Sequence, residues 1–160
     1  RDRIWWGAAS DATAEWAGTL GMHLQSSTLK WDESGEPLHI QQATQIRKFR
    51  EAWKAAGHAS QPRASVSRSI FAITSDLDRM YFGSGRPEQD QIGVIDNTRA
   101  VFGRSYAGEP DQLIEELRKD TAIAEADTLL LTVPNTLGVD YNAHVIENIL
   151  KHVAPALGWR

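Results

Sequence analysis

Two hydroxyl side chains, Ser10 and Thr13, stand three residues apart at a change of texture in the chain. An apolar run, Ile4-Trp5-Trp6, passes through the small residues Gly7-Ala8-Ala9 into the alanine-rich stretch Ala12 to Leu20. That order reads as a strand, a tight turn and a helix. Both hydroxyls then fall on the first helical turn, beside amides that lack an intrahelical partner and carry partial positive charge. Such a turn suits an anion such as phosphate, and the small residues let a ligand approach the backbone closely. A second reading stands beside it: Ser10 only caps the helix and Thr13 only fills its first turn.

Other side chains open weaker alternatives. Arg68 lies among serines on a strand candidate, where it either points into a ligand cavity or forms a salt bridge on a half-exposed surface. Arg104 and Tyr106 line a site mouth or belong to an exposed loop. Of the five histidines, His23 is the one placed to face a barrel interior, while His144 and His152 read as helix-surface groups. Trp16 and Trp53 read as core. Asp and Glu are dispersed, mostly on helix faces. Walker, nucleophile-elbow, Gly-x-Gly-x-x-Gly and zinc spacings are all missing from the sequence.

The elements that must position these groups alternate. Strand candidates occur at 4–6, 22–27, from Pro62 through Ile73, and at 127–133. The run Leu129-Leu130-Leu131 reads as a strand buried on both sides. Residues 31–37 read as a polar loop. Helices are expected at 12–20, 38–56, 76–82, from Pro110 onward, and at 141–153. In the second of these, Ile40, Ala43, Ile46, Phe49, Trp53 and Ala56 form one apolar stripe. Residues 83–108 read as a long loop excursion. Strand and helix alternating four times argue for parallel strands with crossover helices, in either an open doubly wound sheet or part of a closed eightfold barrel.

Composition narrows the function classes. The 160 residues carry 17 Lys and Arg against 21 Asp and Glu, a formal net charge of −4, with no basic run, which argues against general nucleic-acid affinity. The absence of cysteine excludes a disulfide framework, a thiolate metal site and a cysteine nucleophile, and fits a cytoplasmic setting. No apolar run approaches the roughly 20 residues of a membrane span. The chain starts without methionine, almost inside a strand, and so is expected to be cut from something longer.

The stretch from Trp6 to Ala17, followed by Leu20-Gly21-Met22, resembles the strand-to-helix segment of bacterial luciferase and related flavin-dependent monooxygenases. Val66-Ser67-Arg68-Ser69-Ile70-Phe71 resembles a strand of that family. Gly108-Glu109-Pro110-Asp111-Gln112-Leu113 resembles its Gly-Thr-Pro-Glu-Glu helix opening, and the close from Val153 to Arg160 is similar to its Pro-Ala-Leu ending. The resemblance implies the C-terminal half of a TIM (β/α)₈ barrel: four β/α units of parallel strands, one domain over 1–160. It implies FMN, with Ser10 and Thr13 on its phosphate, Gly7, Ala8 and Ala9 beside its ribityl chain, and Arg68 and Arg104 as pocket-wall candidates. An acidic residue often precedes the serine in the luciferases; here that residue is Ala9.

The implied parent reaction is oxidation of a small organic substrate by molecular oxygen and reduced FMN, the flavin supplied by a separate reductase. A deazaflavin-dependent oxidoreductase on the same barrel, or a non-catalytic flavin-binding module, are the alternatives. Half a barrel exposes strand edges, so pairing with another copy or with the missing N-terminal half is expected. Weak flavin binding and negligible turnover are expected of the piece alone.

Overall fold

Ser10 starts the first helix by accepting the Thr13 amide through its Oγ at 3.2 Å, and Gly21, at φ 73°, ends it in the left-handed conformation that glycine adopts without a Cβ penalty. In the computed structural model, which describes residues 1, 3–84 and 89–159, this helix is α1 (Asp11–Leu20), preceded by β1 (Trp5–Ala8) and followed by β2 (His23–Ser26) and β3 (Leu29–Trp31). Then come α2 (Leu38–Ala55), β4 (Ala64–Arg68), β5 (Ile70–Ala72), α3 (Asp76–Phe82), β6 (Gln91–Ile95), β7 (Thr98–Phe102) and β8 (Tyr106–Gly108). The chain continues through α4 (Pro110–Arg118), α5 (Thr121–Glu125), β9 (Thr128–Leu131), α6 (Gly138–Asn148), a π-helical turn (Ile149–Val153) and α7 (Ala154–Leu157). The chain is an α/β protein that folds as two units.

The first unit comprises Arg1–Ser67, Asp90–Gly103 and Asp120–Leu130. Its sheet runs β1-β2-β4-β9, with β1, β2 and β4 paired in parallel: Trp6 lies beside Leu24, and Leu24 beside Ala64. Side chains alternate across a sheet, so one face carries Ala8, Leu24, Ala64 and Val66. These form the core with Ala14 of α1, Ile46, Phe49 and Trp53 of α2 and Ala122 of α5. Gly18 lets α1 and α2 meet: a Cβ there would lie 2.6 Å from the Phe49 carbonyl oxygen.

The stretch from 83 to 108, expected as a loop, contains three strands instead. Residues 85–88 of it lie outside the described residues. β6 and β7 form an antiparallel hairpin, and β7 also pairs with β3 at the edge of the polar segment that follows it. Asp96 and Asn97 hold the hairpin turn at φ 47° and 62°, the pair of positive φ values that matches the twist of two-residue hairpins. In this turn Asp-Asn takes the place of the more usual Asn-Gly.

The second unit comprises Arg68–Gln89, Arg104–Lys119 and Leu131–Arg160. The strand expected from Pro62 to Ile73 breaks at Ser69, and β5 pairs in parallel with β8. Phe71 stacks on Phe82 with ring centroids 4.1 Å apart, and Leu113, Leu117, Val145, Ile149 and Val153 bury the apolar faces of α4, α6 and the π-helical turn. The final helix starts at Gly138 and widens into π geometry from Ile149, rather than running evenly from 141 to 153.

Three burial expectations are corrected. Trp16 is 47% exposed and touches Trp6 edge-on, so of the two tryptophans only Trp53 is core. β9 is not covered on both faces: Leu129 packs on the first unit's core while Leu130 is 45% exposed. The buried face of α2 includes Gln41, Gln42 and Gln45, whereas Ala56 at the end of the expected stripe is exposed.

Candidate functional site

The turn Gly7-Ala8-Ala9-Ser10 is held from behind by α2. The buried Gln45 donates from Nε2 to the carbonyls of Ser10 at 2.9 Å and Ala8 at 3.4 Å, and accepts the Ser26 hydroxyl at 2.6 Å. Gln42 donates to the Ser27 carbonyl at 2.8 Å. Ser27 and Trp31 in turn donate their amides to the carbonyls of Ala8 and Ala9. The glutamines thus satisfy the strand ends that ladders leave open, which is why amides occupy a helix face otherwise reserved for apolar groups.

The hydroxyls of Ser10 and Thr13 lie 2.9 Å apart, so the structure brings the two candidate phosphate ligands together at the start of α1. Charge surrounds them. Lys30, only 1% exposed, pairs with Asp11 at 2.7 Å and with Glu33; Lys48 pairs with Asp11 at 2.7 Å. Burial alone would raise the Asp11 carboxyl's pKa, but the two ammonium groups outweigh it and hold it below the usual range. Glu33 places both carboxylate oxygens 3.3 Å from the Asp11 amide. An acidic side chain of the protein itself therefore sits on a helix-start amide that an external anion would use.

From this turn a polar face spreads across the sheet. The residues that alternate with the core positions are Gly7, Gln25, Ser65 and Ser67, with Gly7 beside Gln25 and Gln25 beside Ser65. Ser65 donates to Gln25 Oε1 at 2.5 Å, and a Cβ on Gly7 would meet nothing within 4 Å. The face is small and polar, exposed at Gly7 and buried at Ser65. The alternation Ala64-Ser65-Val66-Ser67 carried the signal for it.

The remaining candidates have defined places. Arg68 is buried in the second unit. Arg104, in the same unit, pairs with Glu116 at 3.4 Å and lies over the Tyr106 ring at 4.4 Å. The buried His23 has its ring packed between Trp5 and Trp53, and its Nδ1 accepts the Arg63 amide at 3.2 Å.

One cluster escaped sequence reasoning. Asp78, 1% exposed, receives hydrogen bonds from the hydroxyls of Tyr141 at 2.6 Å, Ser75 at 2.8 Å and Thr74 at 3.1 Å, and from the Thr74 amide. His144 Nε2 lies 2.9 Å from the same carboxylate. Burial by itself would raise the Asp78 pKa, yet these donors hold it well below the ordinary carboxylate range. Burial and the adjacent charge push the Tyr141 phenol well above its own ordinary value. The cluster joins residues more than sixty positions apart, a separation at which sequence spacing gives no signal. His144 lies on the surface of α6 as expected, its side chain 37% exposed, and also reaches the buried Asp78.

No family model and no curated protein matches the chain. Among solved structures, it is similar to the crystal structure of monooxygenase RslO1 from Streptomyces bottropensis, with a TM-score of 0.57 at 17% identity, over 97% of this chain and 48% of that one. The likeness establishes a shared fold, and the chain spans about half the length of that protein. Among the described residues, no helix is long and apolar enough to cross a membrane.

Proposed function

We propose that this chain forms the C-terminal half of a flavin-dependent monooxygenase barrel and supplies the anchor for the FMN phosphate. The observation that carries this reading is the pairing of the Ser10 and Thr13 hydroxyls at the start of α1, beside the small polar face of Gly7, Gln25 and Ser65. The shared fold with half of a monooxygenase chain supports it. So does the uncovered face of β9, where Leu130 lies exposed as a barrel strand would be without its remaining partners.

The residues fit a phosphate. The two hydroxyls and the α1 amides offer donors, and Lys30 lies on the other side of Glu33. A phosphate at Asp11 N–H displaces the Glu33 carboxylate and inherits its ammonium partner. Gly7, where a Cβ would meet nothing within 4 Å, leaves room for the chain that joins phosphate to ring, while Ala8 turns its methyl into the core. Bound reduced flavin would supply the oxygen chemistry. The protein's own part is to fix the phosphate, present the polar face and, with the remaining half, exclude water. A reductase, a small organic substrate and a cytoplasmic setting belong to the same reading.

Flavin titration tests it. FMN should bind weakly, more weakly than micromolar, while riboflavin, which lacks the phosphate, should bind at least tenfold more weakly still. Joint replacement Ser10→Ala and Thr13→Val should bring FMN down to the riboflavin level. Equal binding of FMN and riboflavin would remove the proposed anchor, and submicromolar FMN affinity would contradict an incomplete site.

A further inference from the structure

We propose that the Asp78–His144 pair, with the cavity it borders, is a binding site for a neutral, hydroxyl-bearing apolar molecule of the phenol class. The cavity measures about 450 Å³ and is lined by Ser75 and Leu77 at the start of α3 and by Leu137, Val139, Tyr141 and His144 around the start of α6. That volume lies within the range of small-molecule sites. All of these residues belong to the second unit, and none takes part in the Ser10 turn.

The chemistry follows from which atoms already have partners. An ionised Asp78 can only accept, so its contact with His144 Nε2 requires that nitrogen to carry the proton. Asn148 Nδ2, itself a donor, gives its hydrogen bond to Asp78 Oδ2 at 3.5 Å and so makes no claim on the His144 proton. In the neutral imidazole the lone pair is then on Nδ1, for which the described residues provide no partner. Nδ1 is the acceptor offered to a ligand. Ser75 is no nucleophile here, because its hydroxyl donates to Asp78 at 2.8 Å; the arrangement binds a proton donor and does not form an acyl-transfer triad.

The walls select the rest of the ligand. Leu77, Leu137 and Val139 are apolar, and Val139 is 85% exposed. Exposed apolar side chains bordering a polar acceptor suit a molecule with an apolar body and one hydroxyl. Asp140 on the lining and the ionised Asp78 behind it oppose carboxylates and phosphates. A phenol meets every condition: its ring lies against the leucines and valine, and its hydroxyl donates to His144 Nδ1.

The test uses the full chain without flavin, with phenol and anisole as probes. The two share a ring, but anisole has no hydroxyl donor. Nitrogen NMR should show His144 protonated on Nε2. Phenol should move the amide signals of Leu137, Gly138, Val139 and His144 saturably, and anisole should bind at least tenfold more weakly. His144→Phe should lower phenol affinity to that of anisole. Val139→Trp, a change at an exposed position, should abolish binding by filling the cavity. Equal affinities for the two probes, saturable shifts mapping elsewhere, or no saturable shift would each overturn the proposal. Should His144→Phe fail to fold, the probe comparison on the unaltered chain and the Val139→Trp variant still decide. Because no flavin is present, failure here leaves the flavin reading intact, and the reverse.

Discussion

Glu33 sets its carboxylate on the Asp11 amide and beside Lys30, at the place the proposed reading gives to the FMN phosphate. Removing its charge should therefore favour an incoming anion. Glu33→Gln is expected to strengthen FMN binding severalfold while leaving riboflavin unchanged, read by fluorescence titration. Asp78 makes the opposite kind of contribution, to stability. Its folded pKa is depressed, so the stability it provides is fully present above the unfolded carboxylate value of about 4 and is lost as pH falls towards the folded value. Asp78→Ala should cost about 3 kcal/mol near neutrality, given that each hydrogen bond to a charged group is worth roughly 1.5–3 kcal/mol. Thermal melts should show the gap between variant and parent closing below pH 4; a gap independent of pH would mean that packing, not charge, sets the loss.

At the scale of elements, α1 and α2 are joined through one residue without a side chain. Gly18→Val would drive methyl groups into the Phe49 carbonyl oxygen, only 2.6 Å from a Cβ. Overpacking of this kind typically costs about 1–3 kcal/mol, so the urea midpoint should fall without a change in slope. The N-terminal half of α2 is tied differently, by Gln45 to the ends of β1 and β2. Gln45→Leu keeps much of the volume but leaves the Ser10 carbonyl and the Ser26 hydroxyl without that partner. It should destabilise by about 1–3 kcal/mol and weaken FMN binding through the displaced turn. Unchanged amide exchange at Ser10 through Thr13 would argue against Gln45 as the clamp.

For the whole molecule, the relevant quantity is unpaired sheet. β1 and β9 terminate the order β1-β2-β4-β9, and Trp5, Trp6 and Leu130 expose apolar surface on them. Open edges with exposed apolar side chains favour association. Sedimentation equilibrium of this 160-residue chain should show self-association that rises with concentration, reversed by adding residues that complete the sheet. A strictly monomeric profile at all concentrations would mean that the edges are protected without a partner.

Residue order alone was enough for the helix start at Ser10, the glycine stop at Gly21, the apolar core of α2 and the parallel strand-helix rhythm, because capping and side-chain periodicity act over a few positions. It also marked Ser10 and Thr13 as neighbours. The hairpin inside 83–108 reads as a loop in the sequence, because Gln91–Ile95 and Thr98–Phe102 do not alternate apolar with polar and the Asp96-Asn97 turn lacks the glycine that usually announces one. Tertiary structure alone decided the rest. Burial of Gln41, Gln42 and Gln45 depends on strand ends brought against α2, and His23 finds Trp53 only once α2 has packed. The Asp78 cluster assembles from α3 and α6, more than sixty residues apart. Hydrogen bonds to buried charge are set by proximity in space, and a linear pattern carries no record of which distant polar residues will be desolvated together.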